Sequence, residues 1–318
     1  MEPSGPVHKR LLWQLRADWL RFARMSRAKT LCLYLNESRR ARIAAAGGIL
    51  PRVAQAAKTA GWQVCLKDEN DPVGGDGYHL VYNQAVTEPF SLCLRRCHMD
   101  PFFRIEQTND RWDWEIAAKT FTPRPAFSEE EGFRKRWRNK LFDHAEIVQQ
   151  GYIFMPLQGK LLSRRHFQTA SPIEMIHQTL AADPSRHILA TLHPNETYSH
   201  AERAALDAIG GRFKIADQPS LQVLARCDYV VTQNSSMALT GFFAEKPAVL
   251  FAKIDFHHIA ASVPALGVDA AFRAIKSAEK TPFAAYLHWF FKRNAITSWA
   301  DDAVDQIRQR FREHGWPM

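Results

Sequence analysis

Apolar and polar residues alternate along this chain in a pattern that predicts short strands separated by helices. In the first half, continuous apolar runs predict strands at 30–35, 62–67, 78–83 and 91–97. In the second half, similar runs predict strands at 152–158, 187–194, 212–217, 228–233 and 247–252. Continuous apolar strands that alternate with helices are typical of parallel sheets covered by helices on both faces.

The segments between these strands carry helical spacing and helix-end signals. A helical stretch follows the first strand, and Gly47, Gly48 and Pro51 are expected to break or bend it. Ser128 with Glu131 predicts the cap of a later helix. Further helices are predicted at 109–120, 128–143, 171–182, 199–211, 220–227 and 236–246.

The two series of strands are separated near residues 144–150, which predicts two domains. We expect an α/β fold of two Rossmann-like domains, 29–147 and 148–318, whose parallel sheets face each other across a cleft. Residues 1–28 are expected to form a basic amphipathic N-terminal helix in front of them. The C-terminal helices are assigned to the second domain.

Composition is that of a soluble protein, and it predicts a cytoplasmic location. The 318 residues are 46% hydrophobic and 24% charged, and no apolar run approaches the roughly 18 residues that a membrane span needs. Arg16, Asp18 and Arg21 interrupt the one stretch that resembles a signal peptide. The five cysteines are scattered, which favours reduced thiols, and no zinc-binding set of Cys and His is complete.

A net charge of +9 favours an anionic partner. Much of the excess lies in 9–29, where seven Lys or Arg residues surround apolar positions at helical spacing. Two interpretations remain open: a helix that lies on anionic lipid, and a helix packed on the protein with a solvated basic face. Nucleic-acid binding rests on charge alone and lacks a recognisable motif, so we do not expect it.

Candidate chemistry lies where three strands of the second domain end. Two of these apolar runs end in Pro156–Gln158 and His193–Pro194, and the third is followed by Asn234–Ser236. In an open parallel sheet, ligands bind beyond the carboxyl ends of the strands, beside helix N-termini that favour phosphate. Taken one at a time, Ser235 and Ser236 read as a helix cap and His193 as a packing residue; together, the three segments favour a ligand site.

The absence of three well-known motifs excludes some classes of enzyme. The sequence has no Gly-rich loop ending in Gly-Lys-Ser/Thr, no G-x-G-x-x-G and no G-x-S-x-G. A classical P-loop enzyme, a classical dinucleotide site and an α/β-hydrolase are therefore not expected. The pattern favours a nucleotide site without a classical phosphate loop.

Several short motifs resemble the capsule polysaccharide biosynthesis family, which contains the bacterial Kdo transferases. They are "MPLQ" at 155–158, "SPIEMI" at 171–176, "LHP" at 192–194 and "DYVVTQNSSMALTGFFAEKPAVLF" at 228–251. "CHMDPFFRIE" at 97–106 is similar to the family's Gly-Tyr-x-Arg-Pro-x-x-x-x-Glu stretch, with Pro101 and Glu106 in register. His-Pro followed by Ser-Ser also resembles bacterial sialyltransferases, which use another CMP-linked acidic sugar.

The resemblance implies a GT-B glycosyltransferase of surface polysaccharide biosynthesis that transfers Kdo from CMP-Kdo to a glycan or lipid-linked acceptor. It implies no metal or other cofactor, and a location at the inner face of the cytoplasmic membrane. The implied donor-binding residues are Gln158, His193, Pro194, Asn234, Ser235 and Ser236. The implied catalytic residues are Glu106, His193 and Asp100, while Glu106 reads equally well as an ion-pair partner of Arg104 or Arg111. Basic residues that either offset the donor's charges or are ordinary solvated surface are Arg95, Arg96, Lys160, Arg164 and Arg165.

The chain also departs from the family pattern. The Asp that usually follows Pro-Leu-Gln is absent from 159–167, and Thr240 replaces a Glu expected in the helix after the second motif. Thr191 stands where Lys often precedes Leu-His-Pro, and His98 and Asp100 replace the Tyr and Arg of the first-domain stretch. A competing hypothesis is therefore a non-catalytic GT-B-like protein that binds nucleotide or glycan and scaffolds capsule assembly.

Overall fold

The computed structural model describes residues 27–44, 47–276 and 281–318, which form two compact units. The first unit is the described part of Met1–Asp110 together with Ala295–Met318, and the second is Arg111–Asn294. Most of the predicted basic helix at 9–29 lies outside the described residues. Among the residues that are described, no helix is both long enough and apolar enough to cross a bilayer.

Six strands form the sheet of the first unit. They are β1 Thr30–Leu35, β2 Gln63–Asp68, β3 Tyr78–Tyr82, β4 Ser91–Arg96, β5 Phe102–Glu106 and β12 Ile296–Thr297. The helices of this unit are α1 Glu37–Ala41, α2 Ile49–Thr59 and α12 Ala303–Glu313, with a 3₁₀ turn at Arg42–Ala44. The strand order is β12-β5-β4-β3-β1-β2, and β1 to β4 run parallel.

Strands β5 and β12 are antiparallel to their neighbours, and the sequence pattern did not predict either of them. Only residues 97–101 connect β4 to β5. A parallel neighbour needs a crossover of a dozen or more residues, so a connection this short returns the chain in the opposite direction. The predicted interruption at Gly47 and Gly48 is confirmed, since they separate the end of the 3₁₀ turn from α2.

The core of the first unit lies on one face of its sheet. Leu31, Leu33 and Leu35 of β1 are each about 1% exposed or less and belong to one cluster with side chains of α2 and α12. Full burial of a leucine side chain contributes about 1.5–3 kcal/mol. Because Ile307 and Phe311 complete this cluster, the C-terminal helix belongs to the first unit, although we predicted it in the second domain.

Six strands also form the sheet of the second unit. They are β6 Tyr152–Pro156, β7 His187–Thr191, β8 Phe213–Ile215, β9 Tyr229–Thr232, β10 Ala248–Leu250 and β11 Ala261–Ser262. Every pair in this sheet is parallel, in the order β11-β10-β9-β6-β7-β8. The predicted α/β class with two predominantly parallel sheets is therefore confirmed.

Short helices surround the second sheet. They are α3 Glu115–Ala118, α4 Ser128–Phe142, α5 Pro172–Ala182, α6 His200–Asp207, α7 Ser220–Arg226, α8 Ser236–Phe243, α9 Val263–Leu266, α10 Val268–Lys276 and α11 Phe283–His288. Two 3₁₀ turns lie at Arg111–Asp113 and His257–Ile259, and α11 continues as a π-helical turn at Trp289–Arg293. The predicted single helix at 109–120 is wrong, because the chain forms a 3₁₀ turn and the short α3 there.

The domain boundary differs from the predicted one at 147/148. Helix α4 precedes that point, yet it lies in the second unit, where the rings of Phe133 and Phe243 are 6.2 Å apart. The predicted cap of α4 is off by one residue. Glu130, rather than Glu131, accepts the N–H of Phe127 at 2.9 Å, and Ser128 is already the first helical residue.

Candidate functional site

Three neighbouring strands of the second unit end at the same level. Pro156 of β6 is paired with Thr191 of β7, and the pairing of Phe154 with Val230 brings Pro156 level with Thr232 of β9. The hydroxyl of Thr232 donates to the carbonyl oxygen of Pro156 at 3.1 Å. Neighbouring strands lie about 4.8 Å apart. The polar residues that follow these strands therefore emerge at one short edge of the sheet.

Gln158, His193 and Asn234 occupy equivalent places at this edge. Each lies two residues beyond the matched strand ends Pro156, Thr191 and Thr232. Ser235 and Ser236 follow Asn234 directly and begin α8. The structure thus brings together all three segments that the sequence pattern selected in the second unit. Pro194 lies at the same edge, exposed, next to His193.

The strand order gives this edge a topological switch point. The chain starts at β6, adds β7 and β8 on one side, and then places β9, β10 and β11 on the other side. The two helical connections that follow β6 and β9 therefore diverge, which leaves a crevice beyond their carboxyl ends. Gln158 follows β6 and Asn234–Ser236 follow β9, so both segments border this crevice.

The two serines have different roles at the start of α8. Ser235 is the N-cap, and its hydroxyl accepts the N–H of Met237 at 3.3 Å. The helix-cap interpretation therefore holds for Ser235. Ser236 is the first helical residue and is exposed, and its hydroxyl has no hydrogen bond within the described part of the chain. The N–H of Ala238 donates to the carbonyl oxygen of Ser235 at 3.1 Å, so among the first three residues of α8 the N–H of Ser236 is the one left unpaired in the described chain, at the positive end of the helix dipole.

His193 is exposed and held in a defined orientation by the turn that follows β7. Its Nδ1 accepts the N–H of Asn195 at 3.2 Å, so the neutral ring carries its proton on Nε2. Its own N–H donates to the hydroxyl of Tyr198 at 2.9 Å. Tyr198 is 7% exposed, and this burial raises its pKa. The result is a fixed histidine that offers an Nε2–H donor.

Two glutamines at this edge have buried amide oxygens. The Oε1 atoms of Gln158 and Gln233 make no hydrogen bond to any described residue. Gln233 is 1% exposed, and its Nε2 donates to the carbonyl oxygen of Ala170 at 2.9 Å. Buried polar atoms without a partner are rare, and each calls for an explanation such as a bound ligand. The sequence pattern selected Gln158 but missed Gln233, which it read as the end of a strand.

A carboxylate that the sequence analysis missed lies beside Gln158. A Cβ on Gly159 would overlap the carboxylate of Glu196, so the Glu196 side chain packs directly on Gly159. Glu196 follows His193 in a tight turn, with its N–H 3.2 Å from the His193 carbonyl oxygen. Across the described residues, its carboxylate has no hydrogen bond or ion pair. In the sequence, Glu196 stands three residues after the candidate histidine His193, and this spacing is the one signal that could have identified it.

Two other carboxylates nearby are committed to helix starts. Glu174 accepts the N–H of Ser171 at 2.7 Å, and Glu202 accepts the N–H of Ser199 at 2.8 Å. These hydrogen bonds lower the pKa of both glutamates. Glu202 also accepts the N–H of Leu161 at 2.6 Å. Of these three carboxylates, Glu196 is the one with no structural hydrogen bond.

Basic side chains lie in the loop after β6. Arg165 is half-buried and donates to the carbonyl oxygen of Gly159 at 2.9 Å, whereas Lys160 and Arg164 are exposed. The loop therefore brings positive charge close to Gln158. The other two predicted basic residues, Arg95 and Arg96, belong to the first unit.

The two predicted carboxylates of the first unit are both ion-paired. Glu106 is 3% exposed and lies 3.6 Å from Arg104 and 3.7 Å from Arg310. Asp100 is exposed and lies 2.8 Å from Arg96. For Glu106, the ion-pair interpretation with Arg104 is thus observed directly. No group of three His, Cys, Asp or Glu side chains within 27–44, 47–276 and 281–318 is arranged to hold a metal ion.

Comparison with known proteins returns matches only among solved structures. No protein-family model matches the chain, and a search of curated proteins finds no match. The β-Kdo 2,7 transferase of Thermosulfurimonas dismutans KpsC is 10% identical, with 88% of this chain and 98% of that chain covered and a TM-score of 0.47. The β-Kdo 2,4 transferase of the same KpsC is 13% identical, with 80% and 88% covered and a TM-score of 0.42.

The H444N variant of the wall teichoic acid polymerase TagF is another match. It is 10% identical, with 90% of each chain covered and a TM-score of 0.31.

Proposed function

We propose that this chain is a glycosyltransferase of surface polysaccharide biosynthesis that transfers Kdo from CMP-Kdo to a glycan or lipid-linked acceptor. The observation that supports it most is the level arrangement of Gln158, His193 and Asn234 beyond three adjacent parallel strands, at the switch point of the sheet. This is where nucleotides bind in open α/β sheets.

In this proposal, the nucleotide phosphate binds at the start of α8. The N–H of Ser236, which no described group accepts, and the exposed Ser236 hydroxyl donate to its oxygens. The Nε2–H of His193 supplies another donor. The buried oxygens of Gln158 and Gln233 accept hydrogen bonds from the hydroxyl or amino groups of the nucleoside.

Glu196 is our candidate for the general base. The reaction forms a bond between an acceptor hydroxyl oxygen and the anomeric carbon, and it breaks the bond from that carbon to the CMP phosphate oxygen. The proton of the hydroxyl passes to a carboxylate, and CMP leaves with the bonding electrons while the positive end of α8 stabilises its charge. Glu196 has a carboxylate without a structural partner among the described residues, whereas Glu106 and Asp100 are in ion pairs.

A second candidate function is a non-catalytic protein that binds nucleotide or glycan and scaffolds capsule assembly. The absence of any Asp or Glu from 159–167 favours it. Turnover of CMP-Kdo separates the two functions: release of CMP with transfer to an acceptor supports the enzyme, and CMP binding without turnover supports the scaffold.

Calorimetric titration with CMP, UMP and GMP tests the donor site. We expect CMP to bind and the His193→Ala variant to bind it about tenfold more weakly, because one hydrogen bond to a charged group is lost. His187→Ala is the matched control, since His187 is exposed at the opposite end of the same strand. If the His193→Ala variant bound CMP with unchanged affinity, His193 would not be a donor-binding residue.

We also propose that residues 9–29 bring the enzyme to an anionic membrane surface. The support is the sequence, which places seven basic residues around apolar positions at helical spacing. Co-sedimentation with vesicles containing phosphatidylglycerol tests this, compared with vesicles of phosphatidylcholine alone. Equal sedimentation of the full chain and a chain lacking 1–28 would contradict it.

A further inference from the structure

A cavity of about 220 Å³ opens in the first unit, apart from every residue of the proposed donor site. Its wall contains three arginines, an aspartate, two glycines and a tyrosine beside five apolar residues. The polar part of the wall is formed by Arg39, Arg42, Tyr82, Arg96 and Asp100, with Gly47 and Gly48 beside them.

The cavity lies at the carboxyl edge of the first sheet. Leu35, the last residue of β1, leads through Asn36 into α1, which carries Arg39. Tyr82 is the last residue of β3, and Arg96 is the last residue of β4. The chain places β2 on one side of β1 and then β3 and β4 on the other, so this edge has its own switch point between β1 and β3.

The arginines give the cavity a positive charge that its own acids do not cancel. Arg39 is 3.1 Å from Glu69, and its guanidinium lies over the ring of Tyr82 at 4.4 Å. Arg96 is 2.8 Å from Asp100. Arg42 is exposed and makes no hydrogen bond or ion pair to the rest of the described chain. The wall therefore carries three positive guanidinium groups and one carboxylate, that of Asp100, while Glu69, which does not line the cavity, supplies a second carboxylate.

Backbone donors add to these arginines. Helix α2 begins at Ile49, and its N-cap, Gly48, provides no side chain to satisfy the N–H groups of Ile49 and Leu50; Pro51, the third helical residue, has no N–H. Gly47 and Gly48 have φ angles of 103° and 89°, and no atom of the described residues lies within 4 Å of a Cβ built on either residue. A ligand can therefore approach the start of α2 without meeting a side chain at position 47 or 48.

We propose that this cavity, which we call the arginine pocket, binds the phosphate or carboxylate group of a small anionic molecule. Forked guanidinium donors and unpaired backbone N–H groups suit both kinds of oxyanion. The volume is below the roughly 300–1,000 Å³ of pockets that enclose drug-sized ligands, so the ligand is a small group rather than a whole nucleotide sugar. This site rests on the first unit alone and does not depend on the proposed function.

Titration of the full chain with inorganic phosphate, glucuronate and glucose tests the arginine pocket. We expect saturable binding of phosphate, glucuronate or both, and no binding of neutral glucose. Arg42→Ala is expected to raise the dissociation constant about tenfold, since a charge-assisted hydrogen bond is lost. Arg42 is exposed and without a partner in the described chain, so this substitution should leave the unfolding temperature unchanged.

Two controls separate this pocket from other sources of binding. Lys58→Ala removes the same charge from the opposite end of α2, and Ser236→Ala alters the proposed donor site. Binding that weakens in Arg42→Ala alone supports the pocket, and the identity of the bound anion then distinguishes phosphate from carboxylate. Absence of saturable binding, equal weakening in Lys58→Ala, or weakening in Ser236→Ala but not in Arg42→Ala would overturn the proposal.

Discussion

The carboxylate of Glu196 occupies the space in which a side chain on Gly159 would begin. The two residues follow different strands, β7 and β6, and a tight turn after His193 brings them together. Gly159 is needed here for space and not for backbone conformation, since it does not have a positive φ angle. An alanine at this position is therefore a direct way to displace Glu196.

We predict that Gly159→Ala and Glu196→Gln both lower the rate of sugar transfer. Loss of a general base typically reduces turnover 10²- to 10⁴-fold, and displacement of Glu196 should cause at least about a tenfold loss. The free energy of unfolding in urea should change by no more than about 0.5 kcal/mol in Glu196→Gln, because Glu196 is an exposed residue. Single-turnover assays with saturating donor measure the effect.

Gly132→Ala is the matched control for the glycine. A Cβ there would meet only the flexible end of the Arg136 side chain at 3.2 Å. If Glu196→Gln retained wild-type turnover, Glu196 would not be the base, and the acids of the first unit would become the better candidates.

Tyr198→Phe should weaken CMP binding although Tyr198 is not itself a predicted ligand-binding residue. The change removes the hydroxyl that accepts the His193 N–H and so loosens the turn that carries the imidazole. We expect about 0.5–1.5 kcal/mol of lost stability. Misplacement of the histidine should weaken CMP binding by up to about tenfold.

Tyr152→Phe removes a comparable hydrogen bond, 2.8 Å from the Tyr152 hydroxyl to the Val223 carbonyl oxygen, at the amino end of β6. It should lower stability to a similar extent and leave CMP affinity unchanged. An equal effect of the two variants on CMP affinity would mean that Tyr198 contributes only to folding.

Local patterns in the sequence were sufficient to predict most strands and the binding edge of the second unit. The continuous apolar runs predicted at 152–158, 187–194 and 228–233 mark buried parallel strands, and such strands share one carboxyl edge. The alternation of strands and helices therefore predicts that Gln158 and His193 lie at the same edge of the sheet. In the structure these strands end at Pro156, Thr191 and Thr232. The cap formed by Ser171 and Glu174 is equally local, with the acid three residues after the serine.

The remaining features depend on contacts between residues far apart in the chain. The C-terminal helix joins the first unit because Phe311 completes a cluster with Leu33, and no local pattern contains that pairing. Glu196 was missed for the same reason, since its place against Gly159 depends on two loops that follow different strands. Such positions depend on tertiary packing, which the periodicity of apolar residues along the chain does not predict.

Glu106→Gln is predicted to destabilise the first unit. The buried carboxylate lies 3.6 Å from Arg104 and 3.7 Å from Arg310, so its neutralisation removes an ion-pair partner from both side chains. Removal of one partner from a buried pair costs about 3–5 kcal/mol, and urea unfolding of the variant should show a loss of this order. Asp100→Asn is the control, because an exposed pair contributes about 1 kcal/mol at most.

A different result would restore Glu106 as a catalytic candidate. If Glu106→Gln were as stable as Asp100→Asn while sugar transfer was abolished, the carboxylate would act in the reaction and not mainly in folding. Measurement of unfolding and of transfer on the same preparations separates these two outcomes.

The stability of the second unit should fall as the pH decreases from 6.5 towards 4 because of His258. Burial, and then the neighbouring His257, lowers the pKa of His258 from 6.5 to about 4. Its ring contacts the hydroxyl of Tyr286 at 3.2 Å and the carbonyl oxygens of Ile116 and Lys119 at 3.1 Å. The unfolded chain takes up a proton in this range while the folded chain does not, so protonation favours unfolding.

Urea midpoints at pH 7.5 and pH 5 measure this dependence. His258→Gln should be less stable than the wild type at pH 7.5, because buried hydrogen bonds are lost, but it should lose less stability between the two pH values. His177→Gln, at an exposed position of α5, should keep the full wild-type dependence. The same decrease in midpoint for His258→Gln and the wild type would assign the acid sensitivity to other groups, because the lowered pKa of His258 requires the wild type to lose more.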